Sequence, residues 1–170
     1  LPGSALYIER HNRAGRIRRR GGARLPSWAA MDTLRTEVQS LPELLLTRAG
    51  EIGEERFVRD AHREWTYAEF AGRVAEVAAG LRERGVQQGD VVGVILPNSP
   101  HYLEVWWGIL WLGATFNPVN PALTAREAVG ILSDSGASVV VCTPEAAAGL
   151  EQHRDELPAL REIVAAEGAD

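Results

Sequence analysis

Lysine is absent: all eighteen basic side chains among the 170 residues are arginine. The chain therefore has no lysine ammonium to act as a mobile point charge on a phosphate. Cysteine occurs once, as Cys142. This excludes an internal disulfide framework and fits a reducing compartment, so a cytoplasmic location is expected. Long apolar runs are also missing. The longest, Val105–Phe116, is too short to span a bilayer and is broken by two glycines, and no signal-peptide h-region opens the chain. The four histidines, at 11, 62, 101 and 153, stand apart from one another and from Cys142, so no metal-ligand spacing is visible. Phosphate-binding glycine loops are missing too. The glycines at 85, 89 and 93 lack dinucleotide-loop spacing. SDSGAS (133–138) sits at a helix end, where Gly136 reads as a C-cap.

The charge that is present is unevenly placed. Residues 1–30 hold seven Arg and one Glu, a net of +6, whereas residues 31–170 hold eleven Arg and twenty-two acids, a net of −11. The segment HNRAGRIRRRGGAR (11–24) shows neither helical nor strand periodicity and is expected to be disordered. Three readings stay open for it: an arm for nucleic acid or a membrane surface, a transit peptide, and an extension upstream of the native start, since the single methionine is Met31. The expected organisation is a disordered extension over 1–30 and an α/β body over 31–170.

Within the body, LPELLLTRAG (41–50) reads as a short amphipathic helix ending near Gly50. FVRD (57–60) and EWT (64–66) read as a small β-hairpin. Thr66 and Glu69 form a capping box for a helix whose stripe is Tyr67, Phe70, Ala71, Val74, Val77, Ala78 and Leu81, with Gly85 just past its end. VVGVIL (91–96), TFNPV (115–119), SVVVC (138–142) and LREIV (160–164) read as strands. The continuous apolar runs among them suit strands buried on both faces. The helices between them start at Ser99-Pro100, at the capping box Thr124/Glu127 and at Thr143-Pro144. HYLEVWWGILWLG (101–113) is apolar nearly all round and is expected to be buried on more than one side. The helix from Pro144 is expected to reach about Glu156.

The order β-α-β-α-β-α-β predicts a parallel sheet with flanking helices, preceded by the hairpin. Ligands in such folds sit beyond the carboxyl ends of the strands. That edge receives PNSP (97–100), NPALT (120–124) and TPE (143–145), each leading into a helix N-terminus that favours anions unless the cap already satisfies it. His101 is the best single contact candidate there, and a capping-turn histidine is the simpler reading. Ser99, Thr124 and Thr143 read as N-caps before nucleophiles, and Cys142 as an inert buried thiol. Trp106, Trp107 and Trp111 form an aromatic group suited to a core or a domain interface, and alternatively to stacking on a purine.

The segments WTYAEF (65–70), LRERGVQQGDVVGVILPNSPHYLEVWWGILWLGA (81–114), NPVNPALTAREAVGILSDSGASVVV (117–141) and LREIV (160–164) together resemble the N-terminal part of the adenylate-forming enzymes, in particular the acyl-CoA synthetases. The resemblance implies a ligase that uses ATP and Mg2+ to convert a carboxylic (fatty) acid to an acyl-adenylate and then transfers the acyl group to coenzyme A. The family's reactive motifs are a Ser/Thr/Gly-rich phosphate loop, a YGxTE segment, a ribose-binding Asp and a late Lys. None occurs in these residues, so no catalytic residue carries over, and the chain alone is expected to be inactive. One carry-over is implied: Asn120, Pro121 and Ala122 fall on the turn near the coenzyme A nucleotide, with Pro and Ala where some relatives have glycines. Self-association through surfaces that the rest of such an enzyme would cover is also expected. The alternative reading is a stand-alone α/β interaction module with a basic nucleic-acid-binding arm; under the ligase reading no nucleic-acid partner is expected.

Overall fold

A computed structural model of the chain describes residues 40–62 and 64–166; the Arg-rich segment 1–30 lies outside them. The first described element is α1 (Leu41–Ile52), N-capped by Ser40, whose hydroxyl accepts from Glu43 N–H at 3.3 Å. Gly50, the predicted terminus, lies inside the helix. The chain turns only at Gly53–Glu55, where the carbonyls of Gly53 and Glu55 accept from Ala68 and Tyr67 at 3.0 Å each. The docking of the next helix, absent from any local pattern, sets this boundary. β1 (Arg56–Arg59) and β2 (Glu64–Thr66) pair antiparallel as predicted, with a register shift between Arg56 and Val58.

The predicted capping box opens α2 (Tyr67–Glu83): Thr66 Oγ1 accepts from Glu69 N–H at 3.2 Å, and Glu69 Oε2 accepts from Thr66 N–H at 2.8 Å. Five of the seven predicted stripe residues are fully buried, and Tyr67 and Val77 are half-buried. Gly85 and Gly136 follow their helices with positive φ (81° and 66°), the conformation expected of glycine there.

The main sheet is β3 (Val91–Ile95), β4 (Thr115–Pro118), β5 (Val139–Cys142) and β6 (Glu162–Ala165), all parallel, in the order β4-β3-β5-β6. Strand alternation sorts its side chains into two cores. Val92, Val94 and Leu96 with Val139 and Val141 pack under α2 and under α3 (Pro100–Trp111). Ile95 with Val140 and Cys142 packs under α4 (Ala125–Asp134) and α5 (Pro144–Glu151). The result is three layers with the valine-rich strands buried on both faces, the expected signature of a covered parallel sheet.

α5 ends at Glu151, short of the predicted Glu156. His153 leaves helical geometry (φ −123°), and a 3-10 turn over Arg154–Glu156 follows. This change of path delivers Leu157 and Leu160 into the second core. Leu160 is therefore spent on the core as part of a loop, and β6 starts at Glu162, later than predicted.

A Cβ built on Gly93, in the central strand, would collide with Leu132 Cδ2 of α4 and lie 3.3 Å from Val140 Cγ2. Glycine lets α4 seat directly on β3. Gly93→Ala is expected to lower stability by about 1–3 kcal/mol through overpacking, read from urea unfolding. A neutral or stabilising result would mean that α4 can shift to make room.

Candidate functional site at the carboxyl edge of the sheet

The loops after β3, β4 and β5 meet on one edge, and two cavities lie among them. The first, about 410 Å³, is bounded by Leu96, Asn98 and Tyr102 on the β3 side and by Pro118–Pro121 on the β4 side. The second, about 340 Å³, lies between the starts of α4 and α5. Its walls are Ile95, Pro121, Leu123, Ala128, Ala146 and Leu150, with Thr124, Thr143 and Glu145 at its polar end. Pro121 lines both cavities, so the turn singled out in the sequence forms the ridge between them.

The helix starts are built as predicted. Ser99 Oγ accepts from Tyr102 N–H at 3.1 Å. Thr143 Oγ1 accepts from Ala146 N–H at 3.2 Å. Thr124 Oγ1 accepts from Glu127 N–H at 3.4 Å, while Glu127 Oε2 accepts from Thr124 N–H at 2.9 Å and from its hydroxyl at 2.7 Å. These bonds from Thr124, side chain first and backbone second, hold the Glu127 carboxyl below its ordinary pKa. All three hydroxyls are thus committed to capping. Within the turn itself, Asn120 Oδ1 accepts from Ala122 N–H at 2.9 Å and Asn120 O accepts from Leu123 N–H at 3.1 Å.

Cys142 closes β5 with its side chain fully buried. Burial pushes its thiol up to about 11, so it is protonated at neutral pH and poorly reactive. Trp107 does not present a face to this edge; it packs edge-on against Phe57 and Phe70, each at 6.2 Å between ring centroids. Trp106 lies against Phe116 at 5.6 Å.

A charged cluster near the first loop has no counterpart in the sequence reading. Glu104, on the otherwise apolar α3, is 2% exposed and is the only buried charged residue among those described. Arg73 of α2 grips it with both arms of its guanidinium: Nε donates to Oε1 at 3.2 Å and Nη2 to Oε2 at 3.3 Å. His101 Nδ1 lies 3.2 Å from Oε2 and donates in the tautomer protonated there. Burial alone would raise the Glu104 carboxyl; the hydrogen bonds from His101 and Arg73 and the Arg73 charge outweigh it and leave the pKa lowered. His101, the predicted contact residue, therefore faces inward to a carboxylate. The available signal was the lone acid in an apolar helix, since a buried charge demands a partner.

Among the described residues, no three His, Cys, Asp or Glu side chains are grouped to hold a metal ion. The chain has no lysine, each strand-to-helix loop at this edge leads into an N-capped helix, and no chemical step is assigned to these residues.

A parallel sheet with helices on both faces, and a cleft where its strand order turns, defines an α/β binding scaffold. The chain belongs to the AMP-binding enzyme family, whose pattern it matches over residues 46–170. It is 47% identical over 88 residues to a feruloyl-CoA synthase of Amycolatopsis sp, covering 52% of this chain and 18% of that protein. It is 29% identical over 154 residues to 4-hydroxybutyrate–CoA ligase 2 of Metallosphaera sedula, covering 88% of this chain and 27% of that one. Among solved structures, the N-terminal domain of FACL13 from Mycobacterium tuberculosis superimposes with a TM-score of 0.69 at 27% identity, over 76% of this chain and 34% of that one. The chain spans between about a seventh and about a quarter of the length of the curated relatives it matches. The parallel sheet with flanking helices is the arrangement of the N-terminal subdomain in this family.

Proposed function

We propose that this chain forms the N-terminal part of an ATP-dependent acid–thiol ligase that activates a carboxylic acid as its acyl-adenylate and transfers the acyl group to coenzyme A. The observation that carries the reading is the family match over residues 46–170, together with relatives whose own names are those of CoA ligases. In this reading the described residues supply scaffold, and the turn Asn120-Pro121-Ala122 supplies the rim facing the thiol cosubstrate. ATP and Mg2+ belong to the complete enzyme and are held by residues other than those described. None of the described helices is long and apolar enough to cross a membrane, and we assign the enzyme to the cytoplasm.

The test is a chimera. The 88 matched residues of this chain replace their counterparts in the Amycolatopsis feruloyl-CoA synthase, and CoA-dependent consumption of ferulate is measured. Retained ligation is expected; a folded chimera without activity would sink the reading. In parallel, the purified 170-residue chain is expected to show no carboxylate-dependent ATP–pyrophosphate exchange, because adenylation requires cations preorganised on the phosphates. Exchange above background would show that this part of the fold carries its own reactive groups.

A further inference from the structure

We infer that Glu104 is a proton-operated exchange point between two helices. Its carboxylate ties α3 to Arg73 of α2 while His101 is neutral, and passes to His101 of its own helix when that imidazole takes up a proton. The inference goes beyond the ligase reading and does not depend on it. Three contacts carry it. Oε1 accepts from Arg73 Nε at 3.2 Å, whereas Oε2 is shared by Arg73 Nη2 at 3.3 Å and His101 Nδ1 at 3.2 Å. None is as short as the about 2.7–2.9 Å of a full charge-assisted hydrogen bond, as expected where two donors converge on one oxygen. Arg73 Nη1 does reach that range on its other partner, Glu76 Oε2, at 2.9 Å.

With His101 neutral, the Nδ1–H tautomer serves Oε2 without adding charge; the opposite tautomer would set two lone pairs against each other. Protonation puts a second cation on the oxygen that the Arg73 guanidinium already uses. Arg73 is the one released: it is 45% exposed and keeps Glu76. His101 is 30% exposed and lies three residues from Glu104 on the same helix, so it stays. Either cation meets the demand of the buried carboxylate for a partner. Other charges packed near α3 are already placed. On α2, Glu69 is held in the capping box. α1 brings Glu43 in its first turn and the mutually paired Arg48 and Glu51, and β4 carries no charged residue. The Glu104 carboxyl is held below its ordinary 4.5, so it stays ionised in mild acid, and the imidazole is the group that changes. The start of α3, whose Tyr102 lines the first cavity, is therefore tied to α2 at neutral pH and only to its own helix in mild acid.

The experiment is an NMR pH titration of the full chain from pH 8 to 5.5, the interval in which histidine ordinarily changes charge. It follows the imidazole nitrogens of His101 and the guanidinium Nε of Arg73, in the wild type and in His101→Gln. The Nδ1–H tautomer is expected at pH 8. As His101 charges, the Arg73 Nε resonance is expected to move towards that of a solvated arginine with the same midpoint, and to show no such step in His101→Gln. An Arg73 resonance that stays put while His101 charges would overturn the inference. So would the same step in His101→Gln, which would trace it to the carboxyl itself. A His101 that carries its proton on Nε2 at pH 8, or that does not charge above pH 5.5, would overturn it as well. If His101→Gln does not fold, the wild-type titration decides alone, since two signals must move together.

Discussion

Phe70→Ala is expected to cost about 4 kcal/mol of stability, near the middle of the range for truncating a fully buried aromatic. Phe70 is 0% exposed and lies where three elements meet. Its ring is 4.9 Å from that of Phe57 on β1 and 6.2 Å from that of Trp107 on α3, edge-on to the latter. Removing it leaves a cavity walled by β-hairpin, α2 and α3, and sacrifices two aromatic contacts beyond the area lost. The hairpin belongs to a separate two-stranded sheet and shares this cluster with α1 and α2, so the damage should be uneven. Hydrogen exchange in β1 and β2 should accelerate more than in β3 and β5, whose cores are built from other residues. Urea unfolding gives the total cost and exchange gives its distribution. A loss below about 2 kcal/mol would mean that the cluster collapses around the gap, and equal acceleration in both sheets would mean that the hairpin and the main sheet unfold as one unit.

The second large effect concerns Arg73. Arg73→Leu is expected to destabilise the chain by about 3 kcal/mol at neutral pH, the lower end of what an orphaned buried charge costs, because His101 stays beside the carboxylate. Glu104→Leu should cost much less, since Arg73 is 45% exposed and returns to water. The two partners of one ion pair thus predict unequal losses. The pH dependence separates this from a packing effect. In the wild type the folded-state pKa of Glu104 is depressed below its ordinary 4.5. The pair's contribution is therefore fully present above that value and is lost as pH falls through the lower folded-state value. Without Arg73, desolvation dominates and the folded-state pKa rises instead. The Arg73→Leu penalty should then shrink as pH is lowered from 7 towards 4, as protonation neutralises the buried acid. A penalty independent of pH, or equal losses from Arg73→Leu and Glu104→Leu, would show that packing and not charge is being measured.

The elements that the sequence located well share a property: each signal lies within one helical turn or one strand. Thr66 with Glu69 and Thr124 with Glu127 are three residues apart and form the boxes that open α2 and α4. The alternating faces of β3 and β5 are carried by consecutive valines. The misplaced boundaries share the opposite property. α1 runs past Gly50, and the turn that follows it is held by Tyr67 and Ala68, which donate to the carbonyls of Glu55 and Gly53. α5 stops at Glu151 because the second core draws in Leu157 and Leu160. Glu104 and Arg73 are 31 residues apart, and no periodicity within either helix brings them together.

Sequence alone determined that this protein is a covered parallel α/β fold with capped helix starts at one edge, that it resembles the adenylate-forming enzymes, and that no lysine is available for phosphate chemistry. Capping, strand hydrophobicity and composition are local, so they are written in order along the chain. The tertiary structure decided what the edge can hold. It placed Pro121 as the ridge between two cavities, set Glu145 in the wall of one and turned His101 inward to a buried carboxylate. It also spent the turn's N–H groups on Asn120 and Glu127. Those outcomes depend on which loops converge in space and on which donors are already satisfied, and both are fixed by packing between elements distant in sequence.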